Sequence, residues 1–158
     1  MILLSFLLPI LIATPWLKAN AANICFGARN DSYGNFTIHW SGAVISLRLV
    51  YISGYLKCRQ SEEHPHGSHW GCIKRYHLTT LVTNGMNKVI FPQNYNNNSY
   101  FLRGCHINSS ELVFSPLSPP LRVAAGEEFR IWYRQDLYYQ SEHNNAGHAC
   151  ADVYVLTN

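Results

Sequence analysis

After residue 21, no apolar stretch of this chain keeps a 3.6-residue period, so helix is excluded as its organising element. The apolar runs are short, rich in β-branched and aromatic residues, and separated by Gly, Pro and Asn clusters. Eight of them read as strands: 36–40, 44–52, 76–82, 88–91, 100–102, 111–114, 129–133 and 152–156. The Asn84-Gly85 pair between the third and fourth is a favoured hairpin dipeptide. Ser115-Pro-Leu-Ser-Pro-Pro120 cannot be a central strand, because proline donates no ladder hydrogen bond, and it is expected to cross between sheets. The spacing predicts an all-β fold, an antiparallel β-sandwich of about eight strands stapled by disulfides.

The compartment follows from the amino-terminal segment. The apolar run from Ile2 to Ile12 is too short for a membrane-spanning helix, which needs about 20 apolar residues. It fits the apolar core of a secretory signal, and Ala19 and Ala21 form the A-x-A pattern that a signal peptidase accepts. We therefore expect residues 1–21 to be a signal peptide and 22–158 a single secreted domain of 137 residues with no transmembrane segment. Four N-x-S/T sequons, at Asn30, Asn35, Asn97 and Asn108, are expected N-glycosylation sites. The net charge is +3 and no Lys/Arg cluster forms a stripe, so nucleic acid is not an expected partner.

All five cysteines, Cys25, Cys58, Cys72, Cys105 and Cys150, lie beyond residue 21, as expected where disulfides persist. Cys58–Cys72 is the favoured bridge because it would staple a polar loop between two strands. Cys105–Cys150 or Cys25–Cys150 comes second. The odd cysteine is either buried or joins another chain in a disulfide-linked oligomer. His64, His66 and His69 crowd the loop between Cys58 and Cys72. A zinc or copper site there ranks behind an exposed, titrating loop, since a secreted cysteine is usually oxidised and Pro65 and Gly67 describe a turn rather than a rigid ligand frame.

The segment from Gln135 to His148 collects oxygen side chains: Asp136, Glu142, Asn144 and Asn145, with Asp152 just beyond. Such a set can hold calcium, which takes 6–8 oxygen ligands, although an Asx-rich turn satisfying its own backbone is the simpler account. Tyr138 and Tyr139 in the same loop are candidates for stacking on a sugar ring. There is no G-x-S-x-G elbow, P-loop or dinucleotide fingerprint, and the carboxylates form no distinctive pair, so a non-enzyme is expected.

The order SGY…C, SHWGC, a hairpin, VIFP, ELVF, then G-E-x-x-R-I-W-Y-x-x-D-L, S-E-x-x-N-x-G and C-x-D-V-Y resembles small secreted β-rich proteins of marine invertebrates, especially cnidarians, including skeletal organic matrix proteins of corals. In that pattern the region after the Trp-Tyr pair is more acidic. Here Arg134-Gln135-Asp136 and Glu142-His143-Asn144 stand instead. The resemblance implies a non-catalytic secreted glycoprotein of the extracellular or skeletal matrix, with matrix components or glycans as partners. The alternative is a soluble lectin-like module that binds carbohydrate or calcium. A secreted metal-dependent hydrolase is the third reading.

Overall fold

The computed structural model describes residues 15–58, 66–71 and 74–157. It is built almost wholly from antiparallel strands, with one α-helical turn and one 3-10 turn as the only helix among the described residues. Ten strands are present: β1 (Trp16–Lys18), β2 (Ile24–Gly27), β3 (Gly34–Ile38), β4 (Gly42–Lys57), β5 (Thr80–Asn84), β6 (Val89–Phe91), β7 (Glu111–Val113), β8 (Leu121–Val123), β9 (Glu127–Tyr133) and β10 (Ala146–Thr157). The helical turn α1 (Arg134–Leu137) and the 3-10 turn Glu142–Asn144 lie between β9 and β10.

The first sheet is centred on the long pair β10–β4. β1 and β2 share the outer side of β10, and β7 and β8 share the outer side of β4. The second sheet runs β3-β9-β5-β6. Inward side chains of both sheets merge in one core: Leu47, Leu49, Val153 and Val155 from the first meet Phe36, Val82, Phe129 and Ile131 from the second. Phe91 of β6 and Phe114, just after β7, bring their rings to 5.5 Å across the gap. The expected sandwich is the observed one.

Four details differ from the sequence-based expectation. Alternation along β4 slips twice, because Ile45 and Ile52 have no partner in β10 and form bulges. An extra residue on one strand bends it and increases its twist. This lets a 16-residue strand follow a curved core, and leaves Ile52 46% exposed. The hairpin at Asn84-Gly85 is not a two-residue turn. Asn84 Oδ1 accepts the N–H groups of Met86 and Lys88, and Asn87 takes the left-handed conformation at φ 63°. Tyr100–Leu102 forms no strand, only a single bridge from Tyr100 to Leu78. Finally, β1, β2 and β8 were not expected, and the cut anticipated after Ala21 falls just beyond β1.

Cys25 and Cys150 are joined by a disulfide between directly paired positions of β2 and β10, Cα to Cα 3.9 Å. Cys105–Cys150 is therefore excluded, since β2 rather than the 105 region lies beside Cys150. Cys105 is a buried free thiol whose Sγ lies 3.7 Å from the carbonyl of Glu111, placed within the fold rather than on its surface. Cys58 is disulfide-bonded as well, and Cys72, its expected partner, lies outside the described residues.

Candidate functional site

The site is built where the two halves of the chain meet. β9 buries Phe129, Ile131 and Tyr133 toward the core and turns Trp132 to the other face of its sheet. After β9 the chain turns once as α1, so that Leu137 packs on Trp132 and Leu81. Tyr33, from the turn that follows β2, lies over the same Trp132 at 4.7 Å between ring centroids. The Arg130 guanidinium lies over the Tyr33 ring at 4.3 Å from its centroid. One buried indole thereby seats both the α1 segment and the 28–33 turn.

The polar contacts between these segments are specific. The buried Asp136 carboxylate accepts the backbone N–H of Asp31 through Oδ1 and of Ser32 through Oδ2, both at 2.9 Å. Glu142 Oε2 accepts the N–H of Asn30 at 3.1 Å. Three successive main-chain donors are thus held by two carboxylates from the far end of the chain. The Tyr139 hydroxyl donates to Asp31 Oδ1 at 3.0 Å, and Asn145 Nδ2 donates to the carbonyl of Ala28 at 3.2 Å. Asn30 and Asp31 take left-handed φ values of 65° and 54°, as do Tyr139 and Ser141 at 53° each. Asn and Asp tolerate this region, but a tyrosine there is a strained residue held by its surroundings. Such strain concentrates at binding sites.

Burial pushes the Asp136 carboxyl up from its ordinary 3.8 to about 6, and its hydrogen bond with the Glu142 carboxyl adds to the rise. The N–H groups of Asp31 and Ser32 pull the other way. Beside this cluster opens a cleft of about 390 Å³, lined by Arg29, Asn30, Ser32, Tyr33, Gly147 and His148 among others. Cys25, bridged to Cys150, also lines it, and the β4–β10 pairing behind it is tight at two glycines. Gly54 and Gly147 have φ of 82°, and a Cβ on either would strike a carbonyl oxygen of the paired strand at 2.2 or 2.1 Å. A larger cleft, about 570 Å³, lies around Tyr95, Asn96, Tyr100 and Phe101, with no charged side chain on its walls.

The expected site residues are distributed as follows. Asp136 and Glu142 are brought together, and Asn145 lies next to them, its Oδ1 buried without a protein partner. Asn144 is half-buried. Asp152 is elsewhere, on β10, bonded to Lys18 at 2.9 Å and Asn20 at 3.2 Å. Tyr139 is 68% exposed at the site. Tyr138 is half-buried and lies parallel to Tyr95 at 6.4 Å. Asn30, Asn35, Asn97 and Asn108 are all exposed, and Asn30 lies in the cleft wall.

His64 lies outside the described residues, and His66 is exposed. His69 is not the exposed group anticipated. Its ring stacks on Tyr51 at 3.5 Å, its Nδ1 lies 3.2 Å from the Ser109 carbonyl, and burial lowers its pKa below the ordinary 6.5. Arg29, Asp31, Ser32, Tyr33 and His148 were missed by sequence reasoning. The only available signal was the run Asn30-Asp31-Ser32 ahead of a Gly, a turn composition.

No protein-family model matches the chain, and no curated protein matches it. A solved structure does. AJLec, from the sea anemone Anthopleura japonica, is 34% identical, with a TM-score of 0.81 over 91% of this chain and 98% of its own. The resemblance to cnidarian proteins read from the sequence thus has a structural counterpart in a sea anemone. With that identity across nearly the whole of the neighbour, the chain belongs to the family of AJLec.

Proposed function

We propose that this chain is a lectin-like, non-catalytic carbohydrate-binding protein, acting outside the cell, with its ligand cleft between the 28–33 turn and the start of β10. The observation that carries the reading is its kinship with AJLec, by its name a lectin, over 98% of that chain. That kinship favours carbohydrate binding over the matrix-glycoprotein reading drawn from motifs alone. The cleft suits the chemistry. Arg29, Asn30, Ser32 and His148 offer donors and acceptors for sugar hydroxyls, and Tyr139 stands exposed nearby as an apolar face for a pyranose ring. The Cys25–Cys150 bridge supports the extracellular placement, since such bonds persist in oxidising compartments.

A glycan array probed with the full chain, followed by calorimetry on the best ligand, tests this. Arg29→Ala and Tyr139→Ala should each weaken binding about tenfold or more, the worth of about 1.4 kcal/mol, at unchanged melting temperature. A folded protein that retains no glycan would overturn the reading.

Calcium at the same cluster is a second reading, favoured by the unpartnered Asn145 Oδ1 beside the Asp136–Glu142 pair. Among the described residues, no three His, Cys, Asp or Glu side chains are arranged to hold a metal ion. A cation here would take two carboxylates and complete its shell from amide and main-chain oxygens. Equilibrium dialysis against calcium, comparing the protein with its Glu142→Gln variant, decides it. Equal uptake by both removes the cluster from consideration.

A further inference from the structure

The six residues Trp16 to Ala21 read as the tail of a leader, yet the fold uses them. β1 pairs antiparallel with the last strand, Trp16 opposite Leu156, Leu17 opposite Val155 and Lys18 opposite Tyr154. The ladder continues past the strand, with Ala19 N–H donating to the Val153 carbonyl at 2.9 Å. Ala19 is 1% exposed and belongs to the main core. Asn20 closes the pairing: its Oδ1 accepts the Val153 N–H at 2.8 Å and its Nδ2 donates to Asp152 Oδ1 at 3.2 Å. Lys18 Nζ meets the other Asp152 oxygen at 2.9 Å. The Arg48 guanidinium lies over the rings of both Trp16 and Tyr154, at 5.1 and 4.7 Å from their centroids.

We infer that Trp16–Ala21 is a permanent part of the functional protein and that any leader is removed upstream of Trp16, not after Ala21. A cut after Ala21 would strip the outer side of β10 over residues 153–156 and leave the Val153 N–H and carbonyl without their partners. It would also remove the counter-charge of Asp152 and one of the two rings under the Arg48 guanidinium. An independent quantity agrees. The alignment with AJLec spans 91% of 158 residues, about 144, which is more than the 137 that follow Ala21, so it reaches back into the supposed leader.

The test is the amino terminus of the full chain secreted from animal cells, read by Edman degradation and by intact mass after enzymatic removal of N-glycans. A terminus at or before Trp16 is expected, and one at Ala22 would overturn the inference. A second measurement does not depend on secretion. Chains covering 14–158 and 22–158 are refolded and compared. The shorter should melt about 5 °C or more lower and lose hydrogen-exchange protection at the Val153 amide. Equal melting and equal protection would show β1 to be dispensable and sink the claim.

Discussion

Asp136 accepts the backbone N–H of Ser32 at 2.9 Å, across 104 residues of sequence. With the matching bond to Asp31, it makes one buried carboxylate the clasp that fixes the wall of the candidate cleft. Asp136→Ala should therefore leave two main-chain donors without an acceptor. The expected cost is about 2 kcal/mol for the pair, at the low end of about 1–3 for each fully buried unpaired group, because both donors are only partly buried and water recovers part of the loss. Chemical denaturation measures it, and an Asp136→Ala protein as stable as the parent would show that the clasp does not hold the turn.

The same carboxyl sets a pH dependence. Its folded-state value is about 6 against an ordinary 3.8, so between those values the native chain holds a proton that the unfolded chain has released. Stability falls with rising pH wherever the native state binds more protons. This contribution is therefore complete below about pH 4 and lost as pH climbs through about 6. Asp136→Asn cannot titrate and should flatten that part of the stability curve. If parent and variant keep parallel curves from pH 4 to 6.5, the proton is held elsewhere.

The sandwich was legible in the sequence because its long members advertise themselves. The runs over β9 and the outer half of β10 alternate, and the two sides of that alternation are the two faces of a sheet. β2 is only four residues long, and β1 is three residues just beyond the apolar run. Neither offers a period to detect. The site was half legible for a different reason. Asp136 and Glu142 stand out as carboxylates in a loop, but what they bind are the main-chain N–H groups of residues 30–32, and backbone donors carry no sequence signature. Asp152 was placed with them by proximity along the chain. Its true partners, Lys18 and Asn20, lay in the segment read as a leader.

The Cys25–Cys150 bridge closes a loop of 125 residues between strands that already pair. In the chain-entropy account a loop of that size is worth about 5 kcal/mol. Cys25→Ser with Cys150→Ser should lower the melting temperature accordingly. It should also weaken glycan binding before the fold is lost, since Cys25 lines the cleft. Binding untouched in a clearly destabilised double variant would place the ligand site elsewhere, with the 570 Å³ cleft the next to probe.

Cys105 is buried, so it should stay unmodified by a water-soluble disulfide reagent until denaturant is added. Peptide mapping after labelling identifies the residue. Rapid labelling of Cys105 in the native protein, or its recovery in an intermolecular disulfide, would contradict its placement beside the Glu111 carbonyl.

Asn30 brings the expected glycosylation and the expected binding into conflict at one residue. It begins the sequon Asn30-Asp31-Ser32, its side chain is exposed, and it forms part of the cleft wall. Its own main chain is pinned by Glu142, so an oligosaccharide on Nδ2 would have little freedom to swing clear. The form that binds external glycans is therefore expected to be the one unmodified at Asn30, whereas sugars on the exposed Asn97 and Asn108 should be neutral. Protein made in bacteria, which lacks the modification, should bind on the array. Protein secreted from animal cells should bind in inverse proportion to its Asn30 occupancy, measured by peptide mass spectrometry, and enzymatic trimming of its glycans should restore binding. Failure of the bacterial protein to bind would count against the lectin reading as a whole. Full binding by protein occupied at Asn30 would instead leave that reading standing and move the ligand out of this cleft.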